Sequence, residues 1–231
     1  MFKMIYNIAR TELQMLFYSP VAWLILVVFG VQSGMLFADQ LAQLVSSQEM
    51  GYNVSGSTIT IFASNWGGVF TTMQNYLYFY IPLLTMSLVS KELSSGSIRL
   101  LYSSPITNTQ IIVGKFFSMM IYGLIMIGIL FLITLCSWAV VKDFELSMVL
   151  TGLLGLYLLI CAYAAIGIFM SSLTSYQFVA AIGTFIILML LSMVGRWWQE
   201  YDIIRDITYW FSINGRASTF IMGMICSEDL L

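Results

Sequence analysis

The chain is 231 residues long, 60% hydrophobic and only 9% charged, with a net charge of −2 and no histidine. A soluble domain carries about 25% charged residues, so lipid is the expected solvent and an all-α, polytopic helical bundle the expected fold. The balance excludes a nucleic-acid partner, which needs a basic stripe. The lack of histidine removes HExxH zinc sites and the Ser-His and Cys-His pairs of nucleophilic enzymes.

The first nineteen residues, "MFKMIYNIARTELQMLFYS", place Ile5, Ile8, Ala9, Glu12, Leu13 and Leu16 at near-helical spacing. They predict an amphipathic helix in the membrane interface, leading into the first span; a frayed cytoplasmic tail is the alternative. No small-x-small site follows the first apolar run, so a cleaved signal peptide is not expected. A crossing helix needs about 20 apolar residues, and five runs qualify, at about 20–38, 68–90, 116–141, 146–170 and 176–195. The linkers "KDFE" and "SSLTS" are short enough to make spans three to five antiparallel neighbours. The small residues of "CAYAAIGIFMSS" suit close helix packing. Gln32, Gln74 and Asn75 are the main polar groups inside the runs, read as interhelical hydrogen bonds ahead of substrate contacts. None of the five runs carries a charge at its centre, which disfavours ion-coupled secondary transport. The three cysteines, Cys136, Cys161 and Cys226, are odd in number and far apart, and packing suits them better than disulfides or metal ligation. Asn53-Val54-Ser55 fits a glycosylation sequon, a match that chance often produces.

Positive charge sets the orientation. Lys3, Arg10, Lys91, Arg99 and Lys115 fall on the side of the N-terminus, whereas residues 39–67 have no Lys or Arg. Lys142, Arg196, Arg205 and Arg216 are offset by Asp143, Glu145, Glu200, Asp202 and Asp206. The N-terminus is therefore expected in the cytoplasm, together with the polar segment "SKELSSGSIRLLYSSPITNTQIIVGK" from Ser90 to Lys115. Within it Gly96 breaks the helix continuing from the second run. "SIRLLYS" then allows about two turns with Ser97 as N-cap, placing Ile98, Leu101 and Tyr102 on one face and Arg99 off it. Pro105 stops this helix, and Thr107 with Gln110 forms a T-x-x-Q capping box for the next. A short amphipathic helix held between two spans suits docking by a soluble partner; resting on the lipid surface is the alternative. Gly114-Lys115 lacks the flanking residues of a phosphate loop, so ATP hydrolysis is not expected of this chain, nor is a cofactor or a metal. After the fifth run, residues 220–226 form an apolar stretch too short to cross, read as a re-entrant or surface helix at the outer face.

The pattern E-x-x-S-G-S-I-x-x-L-x-x-S-P-I-x-x-x-Q-I-x-x-G-K, from Glu92 to Lys115, resembles the segment between spans two and three of ABC-2-type transporter permeases. Glu92, Gly96, Leu100, Leu101, Ser104, Pro105, Gly114 and Lys115 match in place, and Ser97 stands where threonine is usual. "TELQMLFYSPVAW" is similar to the family's K-E-L-x-x-x-F-x-S-P element, with Thr11 in the basic position. Phe220, Gly223, Ile225 and Asp229 resemble an F-x-x-G-x-I-x-x-x-D element before the last span. Within the family, the likeness is to Bacteroidetes permeases associated with gliding motility.

The resemblance implies a permease subunit of an ABC exporter in the bacterial inner membrane, without catalysis of its own. It also implies six spans, so that a sixth is expected beyond residue 231. The implied partners are separate ABC ATP-binding subunits, a second permease copy (identical or related), the lipid bilayer and an accessory periplasmic protein. Docking of the ATPase is then expected at Lys91, Glu92, Gly96, Ser97, Ile98, Arg99, Leu101, Tyr102 and Pro105. An outer gate is expected over 197–231, with Phe220, Gly223, Ile225 and Asp229. The alternative is a structural membrane component of a motility or secretion complex with no solute path.

Overall fold

The computed structural model describes residues 2–51, 57–64, 67–97, 107–140, 144–194 and 220–223. The sequon at Asn53, residues 98–106 and all of 195–231 except 220–223 lie outside the described residues. Every regular element among the described residues is an α-helix. In chain order these are α1 (Phe2–Tyr18), α2 (Pro20–Glu49), α3 (Ser57–Phe62), α4 (Val69–Thr85), α5 (Ser90–Ser95), α6 (Asn108–Val140), α7 (Leu146–Leu173) and α8 (Gln177–Val194). Helices α2, α6 and α7 are long and apolar enough to cross a membrane, and α8 is a shorter apolar helix.

The helices do not stop where hydropathy does. α2 continues from the apolar run through "DQLAQLVSSQE", because that stretch holds no Gly or Pro and good helix formers predominate. It ends at Glu49, and Gly51 just beyond takes φ +80°. α6 starts at Asn108, well before its apolar run, where Gln110 Oε1 accepts a hydrogen bond from the Thr107 N–H at 3.2 Å, one half of a capping box. The second run, expected as one helix over about 68–90, is broken. Pro82 sits inside α4 and cannot donate to the carbonyl one turn back. The helix gives way to a turn over 86–89 before α5 begins.

Two compact units form from interleaved segments. Unit 1 comprises Met1–Leu26, Leu77–Ile125 and Ile160–Leu190. In it Ser19 precedes Pro20, whose fixed φ suits the first position of α2, and the Trp23 indole N–H donates to the Phe17 carbonyl at 2.8 Å across this corner. The buried Tyr122 of α6 donates its hydroxyl to the Ala22 carbonyl at 2.7 Å. Tyr78 stacks on Tyr163 with ring centroids 5.4 Å apart, and Phe79 packs against Phe185 at 5.0 Å. Gly167 of α7 faces Thr85, whose side chain leaves no room there for a β-carbon.

Unit 2 comprises Val27–Tyr76, Met126–Leu159 and Leu191–Leu231. Its core centres on Phe62 at the end of α3, which is fully buried and contacts Phe37, Phe70 and Phe144 with ring centroids 6.4, 4.9 and 6.2 Å away. Thr58 Oγ1 accepts the Glu145 backbone N–H at 3.3 Å, joining α3 to the start of α7. Gly152 meets the Phe70 ring, where a β-carbon would lie 2.8 Å from its edge.

Candidate functional site: a buried lysine shared by three helices

α1 buries one stripe. Ala9, Glu12 and Leu16 are almost fully covered while Lys3, Arg10 and Met15 face outward. The stripe follows the i, i+3, i+7 spacing of a helix face, with one carboxylate among its apolar members. Ile8 lies one turn before Glu12 on the side that meets α6 at Gly114. A β-carbon at Gly114 would sit 2.7 Å from Ile8 Cγ2, so the glycine allows α1 to approach closely. The next residue, Lys115, then reaches Glu12.

Lys115 is 1% exposed, although charged side chains are rarely covered to this extent unless paired. Its Nζ donates to Glu12 Oε1 at 2.5 Å, to the Leu88 carbonyl at 2.6 Å and to Glu92 Oε1 at 2.7 Å. These bonds use all three ammonium donors. Glu12 and Glu92 side chains are 9% and 20% exposed. One cation thus faces two carboxylates, with Lys91 also acting on Glu12. Burial holds the Glu12 carboxyl above the usual carboxylate range; Lys115 opposes that shift and Glu92 adds to it. Glu12 and Glu92 also line a cavity of about 360 Å³ whose polar members include Lys91, Ser87, Ser95 and Ser97.

The turn between α4 and α5 needs such partners, since a break in a helix strands backbone groups. Lys115 satisfies Leu88. Ser171 of α7, fully buried, satisfies three more groups. Its hydroxyl donates to the Met86 carbonyl at 3.0 Å and accepts from the Val89 and Ser90 N–H groups at 3.2 and 3.1 Å. The break is thus held from α6 and from α7.

Of the residues expected at the ATPase contact, Lys91 is exposed, and Glu92 points inward to Lys115. Gly96 ends α5 in the left-handed conformation at φ +72°, a backbone that favours glycine. Ser97 Oγ lies 2.9 Å from Ser95 Oγ. Ile98, Arg99, Leu101, Tyr102 and Pro105 lie outside the described residues, as do Ile225 and Asp229. Phe220 is buried, and Gly223 has φ +85° with Met148 Cγ 3.0 Å from where its β-carbon would be. The sequence marks Lys115 only as an orientation charge and a motif end, and Glu12 only as part of an amphipathic face and of the T-E-L element. The signal available was a Gly-Lys pair at the threshold of an apolar run, two residue types with opposite requirements.

Helices of this length and apolarity make the chain a multi-pass membrane protein. Residues 6–198 match the family described as ABC-2 family transporter protein, and with most of its length matched the chain belongs to that family. No curated protein matches the sequence. Glu12, Glu92 and Lys115 all lie inside the matched region. They are the charged members of three separate sequence elements, T-E-L, E-x-x-S-G-S and G-K, and the fold brings them to one point.

Proposed function

We propose that the chain is the permease subunit of an ABC exporter, driven by ATP-binding subunits that dock on the segment between α5 and α6. The observation that carries this reading is the Lys115 cluster. The segment 98–106 leaves α5 just beyond Glu92 and re-enters the fold through α6, whose Lys115 grips Glu92. A displacement of the segment therefore acts on both of its stems at one ion cluster, and through it on α1, the α4–α5 turn and Ser171 of α7. Ile98, Leu101 and Tyr102 supply the apolar anchor for the partner, with Lys91 and Arg99 as polar contacts. Glu92 has the inward role of latching the stem.

In this reading the N-terminus and the docking segment are cytoplasmic, the chain spans the inner membrane at least five times, and a second permease copy completes the pathway. Phe220, Gly223, Ile225 and Asp229 belong to an outer gate. The likeness to gliding-motility permeases points to a transporter dedicated to that machinery. Co-expression with the cognate ATP-binding subunit tests the docking assignment. Wild type co-purifies with that subunit and Leu101→Asp does not; equal recovery of both, or of neither, contradicts it.

A further inference from the structure

The outward face of α1 carries one kind of polar group. Lys3, Asn7, Arg10 and Gln14 are all exposed and follow the i, i+4, i+7, i+11 spacing that sets side chains in one row along a helix. Each offers N–H donors, and none can become negative. Met4, Thr11 and Met15 flank the row on one side, Tyr6, Leu13 and Phe17 on the other. The Thr11 hydroxyl turns back onto the Asn7 and Ile8 carbonyls at 3.0 and 2.9 Å.

The charge around this row is one-sided. The sequence of unit 1 holds Lys3, Arg10, Lys91, Arg99 and Lys115 against two acids, Glu12 and Glu92. Both acids bind Lys115, and Glu12 lies on the buried face of α1. Among the described residues, the ion pairs are those two, so Lys3 and Arg10 face outward as a positive edge with no carboxylate against them.

The packing of α1 fixes what that edge faces. Ile5, Ile8 and Glu12 span about 10 Å of α1 yet meet two consecutive residues of α6. The Ile5 carbonyl and Ile8 Cγ2 lie 3.4 and 2.7 Å from where a Gly114 β-carbon would sit, and Glu12 binds Lys115. α1 therefore crosses α6 instead of running beside it. The crossing falls where the apolar run of α6 begins, at Phe116, and α1 turns through Ser19 into the apolar run of α2. A helix laid across the mouth of one membrane helix and joined to that of another lies along the bilayer surface. Tyr6, Tyr18 and Trp23 are exposed along it, the residue types enriched at a membrane–water boundary.

We propose that the row of Lys3, Asn7, Arg10 and Gln14 binds the phosphates of an anionic phospholipid surface, holding α1 to the head groups while its opposite face grips α6. A zwitterionic lipid presents the same phosphate with its own cation beside it, so a net negative head group is the one that completes the charge of this edge. The contact needs neither an ATP-binding partner nor a solute path.

Native mass spectrometry of the detergent-purified chain tests this. The protein is incubated with phosphatidylglycerol and phosphatidylcholine of identical acyl chains in equal amounts. Wild type retains phosphatidylglycerol in preference. Lys3→Gln and Arg10→Gln each lower that preference roughly fivefold, about 1 kcal/mol, and the double variant lowers it roughly thirtyfold. Asn7→Glu, which sets an acid into the row, lowers it as the single variants do, whereas the charge-keeping pair Lys3→Arg, Arg10→Lys behaves as wild type. Circular dichroism checks that each variant is folded. In vesicles, a phosphatidylglycerol with a diazirine on its glycerol head labels residues 3–14 of wild type, and the labelling falls as salt is raised. Retention of both lipids alike by wild type, an unchanged preference in the folded double variant, or label confined to other helices overturns the proposal. So does a double variant that keeps the lipid preference but no longer co-purifies with the ATP-binding subunit, which would make the edge a protein contact.

Discussion

Replacing Lys115 by methionine keeps the length and apolar stem of the side chain while removing its charge. Glu12 and Glu92 then face each other without a counter-ion, and the Leu88 carbonyl loses its donor. Breaking a buried ion pair from one side costs about 3–5 kcal/mol, because the remaining charge stays desolvated. Glu92 is 20% exposed and shares its charge with water, which sets the cost at the lower end, about 3 kcal/mol. For a chain of this size that corresponds to a fall in Tm of about 6–12 °C. The loss depends on pH in a fixed direction. Glu12 already has a raised pKa in the folded state, so its protonation favours folding, fully below the unfolded carboxylate pKa, and that advantage disappears as pH rises through the folded one. Without Lys115 the opposing attraction is gone and the shift grows. Lys115→Met is therefore most destabilised at neutral pH and recovers towards wild type on acidification. Thermal unfolding of the detergent-solubilised variants, followed by circular dichroism across a pH series, reads both effects. A Tm within about 1 °C of wild type at neutral pH, or a deficit that does not shrink on acidification, refutes the reasoning.

Three other substitutions probe the surrounding packing by the same unfolding assay. Gly114→Ala drives a methyl group into Ile8 and costs about 1–3 kcal/mol; adding Ile8→Ala restores much of the loss, which a purely conformational effect would not allow. Ser171→Ala removes the acceptor of the Val89 and Ser90 N–H groups at the α4–α5 turn, while the Met86 carbonyl keeps the Ser90 hydroxyl as a donor. It costs about 1–3 kcal/mol and speeds amide exchange at Val89 and Ser90 more than in the middle of α7. Tyr122→Phe removes the bond to the Ala22 carbonyl and costs about 1 kcal/mol, with little volume change.

Much of the architecture is written in local sequence. Apolar runs mark the membrane-compatible helices because lipid solvation is a property of each residue, and Thr107 with Gln110 marks the start of α6 because a cap is decided within four residues. The true length of α2 is less legible, since hydropathy reports the solvent and not the backbone conformation, and nothing in "DQLAQLVSSQE" stops a helix. The break after Thr85 has Pro82 as its only local cue. Its other determinants, Ser171 and Lys115, lie far along the chain and act through side chains. The ion cluster is the extreme case. Glu12 and Glu92 stand 103 and 23 residues from Lys115, so no local pattern pairs them. Each looks in isolation like an ordinary surface charge.

The central claim is that the cluster transmits motion between the docked ATPase and the helices, beyond merely holding the fold. The triple variant Lys115→Met, Glu12→Met, Glu92→Met separates the two roles, because replacing a whole buried ion cluster by apolar groups of similar volume is often close to neutral for stability. The most direct measurement is ATP hydrolysis by the reconstituted complex of this permease and its ATP-binding subunit, wild type against the triple variant, at equal subunit content. The account predicts that the variant assembles and melts near wild type but loses the permease-dependent part of the hydrolysis rate. A folded, fully assembled variant that hydrolyses ATP at the wild-type rate contradicts it.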